Sequence, residues 1–255
     1  MTRPLTVHSL VPLDLANTSA IASLPAHLRF NDNGPADIVI VGPDEKSIIQ
    51  ALKLQARGLV ILRPSQLAAN SVKELDAAGC ALFPVLPLTA SILDLDNVDT
   101  LAGAGIVRSH LAWAGLQIEG MTEHLSALQA LLGPMRDFQL MDNGAESYSG
   151  TAASEGDVPI FWSGKSVAAR PEVELDIVGT TSRIEIRGVM DGAARPLEFS
   201  KATVNGVCQS IGSFETGHRK FWRHVVSALE TVDPNAQWRS FCSLHKTAQS
   251  LARLG

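Results

Sequence analysis

The chain has few cysteines and no clustered histidines. Only three cysteines occur among its 255 residues, at Cys80, Cys208 and Cys242. They are far apart and form no pair with the spacing of a metal site, so we expect reduced thiols in a cytoplasmic protein rather than a disulfide framework. None of the C-terminal histidines follows another at the four-residue spacing that two ligands on one helix face require, so we expect no metal centre.

Basic residues and long apolar runs are also scarce. Lys and Arg number 21 against 26 Asp and Glu, a net charge of -5. A nucleic-acid-binding surface needs a basic face, so this class is excluded. No apolar run approaches the roughly 20 residues of a membrane span. The first fifteen residues carry one arginine and an apolar run broken by Pro12 and Asp14, which makes a poor signal peptide. We therefore expect a soluble protein that binds neither nucleic acid nor membrane.

What the chain does have is a stretch over residues 37–65 with the pattern strand, helix, strand. Residues 37–41 form a short β-branched apolar run that ends at Gly42 and Pro43. Pro43 and Asp44 suit a helix start, and Gly58 lies where a helix ends. A second apolar run over residues 59–62 follows and ends at Arg63 and Pro64. Two strands joined by one helix predict a parallel sheet that is buried on both faces.

Parallel sheets of this kind bind ligands beyond the carboxyl ends of their strands. In this chain those ends are Gly42 with Pro43 and Arg63 with Pro64. We therefore predict that these four residues line a ligand site, with the Arg63 guanidinium as a group that binds an anion.

From residue 136 onward the apolar residues alternate with polar ones. Val173, Leu175 and Ile177 alternate with acidic residues, and after a turn at residues 179–182 a second run alternates with arginines. This predicts an antiparallel sheet with cross-strand ion pairs. We expect the two C-terminal helices to cover its apolar face, and the small polar residues 144–156 to form a mobile loop. The predicted domains are residues 1–105 and 106–255.

Five segments of the chain follow one another in a recognisable order and spacing. They are ADIVIVGP (36–43), GLVILRPSQLA (58–68), ALQALLGP (127–134), DIVGTTSRIEIRG (176–188) and FWRHVVSALETVDP (221–234). Together they resemble the glucose-fructose oxidoreductase/inositol dehydrogenase (Gfo/Idh/MocA) family. The resemblance implies an α/β protein with an incomplete Rossmann-like parallel sheet domain, followed by an α+β domain with an open antiparallel sheet. It also implies that copies pair through that antiparallel sheet, or that the chain forms a complex with a related enzyme.

The chain departs from the family where the cofactor phosphates would bind. Family members open with a strand and a glycine-rich turn whose amides hold the pyrophosphate of the cofactor. No such turn follows residues 5–10 here. We therefore align this strand with the second strand of a dinucleotide fold, which puts Asp14 where an acid would contact the ribose. On this interpretation the first strand, turn and helix of the fold are missing.

The chain also departs at both catalytic motifs of the family. Leu62-Arg63-Pro64 stands where the family has Glu-Lys-Pro, and an arginine stays protonated, so it cannot relay a proton. The positions of the family's histidine and aspartate are Glu123 and Ser126. His124 lies one residue away, which turns its side chain by about 100° around a helix. Glu123 and His124 are the candidate acid/base residues.

These departures lead to three hypotheses about function. The first is a degenerate dehydrogenase-like protein that has lost nicotinamide cofactor binding and acts as a binding or stabilising subunit, or as a small-molecule binder. The second is a cofactor-free lyase, hydratase or isomerase on a sugar-like or carboxylated compound, with Arg63 as the anion anchor and Glu123 or His124 as the acid/base. The third is an oxidoreductase that uses NAD or NADP in an abbreviated cofactor site.

Overall fold

In the computed structural model the chain forms two compact units. The first contains residues 1–86 and 218–243, and the second contains residues 87–217 and 244–255. The structure describes residues 3–31, 35–93, 95, 104–167, 170–190, 195, 197–231 and 233–252. The predicted boundary between residues 105 and 106 adjoins a stretch outside the described residues and stays a prediction.

The first unit is built on a five-stranded parallel sheet. The order of its strands across the sheet is β2-β1-β3-β4-β5. β3 and β4 are completely buried, as their continuous apolar runs predict. The strands are β1 (Leu5–Ser9), β2 (Leu28–Phe30), β3 (Ile38–Val41), β4 (Gly58–Ile61) and β5 (Ala81–Pro84).

β1 lies in the interior of the parallel sheet. It pairs with β2 on one side and with β3 on the other, both in parallel. The order β2-β1-β3-β4-β5 is that of a five-stranded 2-1-3-4-5 sheet, and it is also that of a 3-2-1-4-5-6 dinucleotide sheet without its first strand. The assignment of residues 5–10 to the second strand of a dinucleotide fold therefore stays a prediction.

Helices connect and cover the strands of the first unit. The connecting helices are α1 (Leu15–Ala22), α2 (Glu45–Lys53) and α3 (Ala69–Asp76), and a short 3-10 helix (Pro64–Gln66) follows β4. Asp44 caps α2 by accepting a hydrogen bond from the Ser47 N–H at 2.9 Å, as the sequence predicts.

The second unit contains an eight-stranded sheet in the order β13-β12-β11-β10-β6-β9-β8-β7. All neighbours are antiparallel except β6 and β9. The pairing of β10 with β11 confirms the predicted hairpin. The strands are β6 (Ala104–Trp113), β7 (Met135–Asn143), β8 (Ser147–Ser154), β9 (Pro159–Ser166), β10 (Glu172–Gly179), β11 (Ser182–Val189), β12 (Glu198–Thr203) and β13 (Gly206–Ile211).

A different helix from the predicted one covers this sheet. The unit's hydrophobic core includes Met121, Leu125 and Leu128 of α5 (Gln117–Leu132), packed with the inward residues of the strands. The short helix α4 (Pro87–Leu93) precedes it. Of the C-terminal helices, α6 (Gly217–Ala228) and the start of α7 (Ala236–Ala252) belong to the first unit. Only the end of α7, from Leu244, joins the core of the second unit, so the predicted cover is largely wrong.

The predicted loop at residues 144–156 is also wrong, because most of it is β8. Its burial alternates strictly along the strand. Two glycines leave room for large rings: a methyl group on Gly150 would meet Trp162, and one on Gly164 of β9 would overlap the Tyr148 ring. Small residues in this stretch therefore lie beside aromatic side chains, which leave no room for larger ones. The composition of the stretch does not reveal this reason for their size.

Candidate functional site

The carboxyl ends of β1 and β3 form the crevice of the parallel sheet. The Leu10 N–H donates to the Ile40 carbonyl at 3.0 Å, which keeps the two strands paired to their ends. A methyl group on Gly42 would lie 3.3 Å from Cγ1 of Val11, so the loops that follow the two strands touch here. Ligands of doubly wound sheets bind at this point, where the strand order reverses. Gly42 and Pro43 therefore lie where the sequence predicts.

Asp14 lies in this crevice, at the start of α1. Its carboxylate accepts hydrogen bonds from the backbone N–H of Asn17 at 2.7 Å and from the Asn17 side-chain amide. The Asn17 carbonyl oxygen in turn accepts from the Trp222 indole at 3.1 Å. Asp14 is thus a helix cap held in place by a buried asparagine. It follows β1, and the ribose contact predicted for it stays a prediction.

Arg63 lies at the carboxyl end of the neighbouring strand β4. Its backbone is left-handed, with φ 48°, a conformation that costs a non-glycine residue about 1 kcal/mol or more. The buried Pro64 and Ser65 that follow it hold the turn in this conformation. The guanidinium is exposed and makes no hydrogen bond or ion pair with the described residues. It is an available cation at the ligand-binding edge of the sheet.

Three features of this edge favour a dinucleotide, and two oppose it, one of which is the missing glycine-rich turn. The amides of Leu15 and Ala16 precede the first intrahelical bond of α1 and are available to a phosphate. Leu15 is 81% exposed and offers an apolar surface, and Arg63 offers a positive charge. The other opposing feature is Asp14, whose carboxylate lies at the same helix start and repels a pyrophosphate.

The two acid/base candidates lie in the second unit, where Glu123 binds the start of α4. Its Oε1 accepts the N–H groups of Leu88 at 2.5 Å and Thr89 at 3.2 Å. Burial raises the pKa of Glu123 to about 8, although the two backbone donors lower it in part. The carboxyl is therefore largely protonated at neutral pH. A carboxyl with this pKa can give up and regain a proton under physiological conditions.

His124, by contrast, is part of the hydrophobic core and completely buried. Its Nε2 lies 2.7 Å from Ser109 Oγ, and its Nδ1 lies 3.0 Å from the Tyr148 hydroxyl. Ser109 donates to the Glu174 carbonyl, so its oxygen accepts from Nε2–H and Tyr148 donates to Nδ1. Burial lowers the pKa of His124 to about 3. The geometry favours a neutral, structural ring rather than an acid/base that contacts a substrate.

The environment of Glu123 predicts how its substitution changes stability. The pKa of Glu123 is about 8 in the folded protein and near 4.5 in the unfolded chain. The free energy of unfolding therefore falls as the pH rises from 4.5 through about 8, because the unfolded chain gives up this proton more readily. Glu123→Gln retains the two hydrogen bonds without a charge. We expect this variant to be more stable than the wild type at pH 9 by about 4–5 kcal/mol and similar to it at pH 5.

Urea denaturation at several pH values measures this difference. Glu155→Gln is the control, since Glu155 is exposed and the same charge is removed. Equal stabilities of Glu123→Gln and the wild type at pH 9 would contradict the buried, protonated carboxyl.

Comparisons with solved structures place this fold among oxidoreductases. The 3-ketoreductase KijD10 from Actinomadura kijaniata, in complex with NADP and TDP-benzene, matches with a TM-score of 0.71 and 12% identity over 97% of each chain. A putative NADPH-dependent oxidoreductase from Desulfitobacterium hafniense matches with a TM-score of 0.70 and 11% identity, over 100% of this chain and 97% of the other. The chain has the fold of the Gfo/Idh/MocA-type oxidoreductases.

A third structure with this fold, the dehydrogenase MviM from Clostridium difficile, matches with a TM-score of 0.64 and 10% identity, over 96% of this chain and 99% of the other. No protein-family model matches the sequence, and no curated protein matches it in a sequence search. Identities this low establish the fold of the chain alone. None of the described helices is both long and apolar enough to cross a membrane.

These findings contradict the hypothesis of a protein that has lost its nicotinamide cofactor. Similar structures of the Gfo/Idh/MocA fold contain NADP, and they match along nearly the whole of this chain. The expectation of no cofactor depended on sequence motifs alone, and these structures share the fold with this chain at only 12–13% identity.

Proposed function

We propose that the protein is an NADP-dependent oxidoreductase that acts on a carbonyl compound or the corresponding alcohol. The observation that carries this proposal is the fold that the chain shares, over 97% of its length, with a 3-ketoreductase whose structure contains NADP. The bound cofactor would supply the hydride. A carbonyl substrate agrees with the 3-ketoreductase activity named for KijD10.

Three features of this chain would hold the cofactor. The free amides at the start of α1 would bind a phosphate, and the exposed Leu15 would pack against an apolar part of the molecule. The Arg63 guanidinium would bind an anionic group or a carbonyl oxygen at the end of β4. Because Arg63 keeps its proton, it would orient a ligand without transferring protons.

Glu123 is the better of the two candidates for proton transfer in this reaction. Burial raises its pKa to about 8, which lets the carboxyl hold an exchangeable proton at neutral pH. His124 has no exposed surface, and both of its ring nitrogens have partners. We also propose a cytoplasmic location, which the three free thiols support.

Titration with NADPH, followed by nicotinamide fluorescence, tests the proposed function. We expect saturable binding, and tighter binding in Asp14→Ser, because serine still caps α1 but no longer repels a phosphate. Removing one like charge from this position should strengthen binding about tenfold.

Asp142→Ser is the matched control, because Asp142 is exposed on the sheet of the second unit. It loses the same charge and should bind NADPH like the wild type. If neither the wild type nor Asp14→Ser binds NADPH or NADH, the proposed function is wrong. If both bind equally, the cofactor does not lie at the start of α1.

A further inference from the structure

β13 lies at one edge of the eight-stranded sheet and carries no charge, proline or bulge of its own. All six of its residues are exposed, and the sequence GVCQSI contains no charged residue and no proline. Val207 is 67% exposed and Ile211 is 61% exposed. Among the described residues no strand pairs with the free side of β13. Natural sheets usually block such an edge with charges, prolines or bulges, because a bare edge pairs with another strand.

The opposite edge of the same sheet is protected in this way. Two irregularities interrupt the pairing of β7 with β8, at Arg136/Gln139 and at Leu140/Asp142. β7 also carries Asp137 in a left-handed conformation, and charged residues lie along it. The contrast between the two edges indicates that β13 is kept free of charge and regular in shape.

The hairpin geometry identifies the backbone groups of β13 that point outward. Thr203 pairs with Gly206 across a two-residue turn, and this flanking pair shares backbone hydrogen bonds. The same alternation makes Leu197 and Gly212 a bonded pair, and the Gly212 N–H does donate to the Leu197 carbonyl at 2.9 Å. The outward groups are therefore those of the residues in between, which are Val207, Gln209 and Ile211.

We propose that two copies of the protein pair through β13, antiparallel and centred on Gln209. In this register Val207 lies opposite Ile211 of the second copy, Gln209 lies opposite Gln209, and Ile211 lies opposite Val207. All three outward residues then exchange backbone hydrogen bonds, six in total by the pattern of bonded pairs. The two sheets join into one of sixteen strands, eight from each copy.

The side chains of β13 favour a second copy as the partner. Val207, Gln209 and Ile211 share one face, so self-pairing about Gln209 puts an apolar residue against an apolar residue twice. A register centred on Cys208 would instead place Val207 against Gln209 and leave Ile211 beyond the strand. Two further exposed apolar residues, Val204 and Phe214, flank the strand and extend the apolar surface.

Cysteine cross-linking tests this register. Centred on Gln209, the pairing puts Cys208 opposite Ser210 of the second copy in a non-bonded pair, with Cα atoms about 4.5 Å apart. A disulfide needs a Cα separation of about 4.4–6.8 Å. Ser210→Cys should therefore form a covalent dimer under mild oxidation, which non-reducing electrophoresis detects. Both positions are exposed, so the change is tolerated by the fold.

Two controls carry a single cysteine in β13. In the wild type, Cys208 of one copy lies diagonally from Cys208 of the other, at about 7–8 Å, which is too far for a disulfide. In the double variant Cys208→Ser with Ser210→Cys, the two thiols at position 210 also lie diagonally from each other, at the same distance. Neither should cross-link when each is oxidised at the same concentration. Sedimentation of the reduced wild type should show a dimer, and Val207→Lys with Ile211→Lys should shift it to the monomer.

Each alternative result overturns the proposal in its own way. Cross-linking of the wild type and of Ser210→Cys, but not of Cys208→Ser with Ser210→Cys, would indicate a register centred on Cys208. Equal cross-linking of all three proteins would indicate random collisions. If Ser210→Cys stays uncross-linked while the reduced wild type sediments as a dimer, the copies associate through another surface. If the wild type remains a monomer at the highest concentration at which it stays dissolved, β13 has no such partner.

Discussion

Gly164→Ala should destabilise the second unit by about 3 kcal/mol or more. A methyl group on Gly164 would overlap the Tyr148 ring, which is buried and stacked on Trp113 with ring centroids 5.1 Å apart. The ring cannot move away freely, because Trp162 packs against it at 5.3 Å and His124 bonds its hydroxyl. Overpacking of a rigid core typically costs about 1–3 kcal/mol, and a ring fixed by several neighbours belongs at the upper end.

Thermal unfolding measures this effect, and a loss of this size should lower the midpoint by about 10 °C in a protein of this length. Gly156→Ala is the matched control: its added methyl group would lie 3.8 Å from Ser154 Oγ, an ordinary contact. An unchanged midpoint for Gly164→Ala would show that the aromatic cluster is loosely packed.

Acid should destabilise the protein through His124. The folded ring has a pKa of about 3, lowered by burial, whereas an unfolded histidine titrates near 6.5. Between these values the unfolded chain binds more protons, so the free energy of unfolding falls as the pH is lowered from 6.5 toward 3. At pH 4 the loss at this one residue should be about 3 kcal/mol.

His124→Gln separates this loss from the titration of carboxylates. Glutamine can still accept from Tyr148 and donate to Ser109 but does not titrate. We expect the variant to be less stable than the wild type at pH 7, yet to lose less stability between pH 6.5 and 4. His27→Gln serves as the control, since His27 is exposed and the same side-chain change is made away from the core. Parallel pH profiles for His124→Gln and the wild type would show that the ring is charged in the fold.

The strands and helices with strong periodicity could be predicted from the sequence. The apolar runs of β3 and β4 and the alternation of β10 and β11 follow from local residue choice, and the structure confirms them. The neighbours of β1 could not be predicted, because its residues do not encode which strands lie beside it. The strand β8 was not predicted, because its small residues match the aromatic rings beside them rather than a strand pattern in the sequence. That information lies in tertiary contacts rather than in composition.

The candidate site could likewise be predicted only in part from the sequence. Gly42, Pro43, Arg63 and Pro64 follow from the rule that ligands bind at strand ends, and the structure puts them at the same edge of the sheet. The difference between Glu123 and His124 was not predictable, because adjacent residues on a helix point in different directions and only packing decides which is buried. Asn17, which fixes Asp14 and Trp222, carries no signal in the sequence.

The first unit is assembled from two separate parts of the chain, and this sets an order on its synthesis. Trp222, Trp238 and Phe241 belong to it, yet they are translated after the whole segment 87–217 of the second unit. The five parallel strands therefore leave the ribosome long before the helices that complete their core. Until residue 243 emerges, the apolar surface that Trp238 and Phe241 later cover stays open to water. A nascent chain with this topology depends on chaperones for longer than one whose sheet is completed in sequence order.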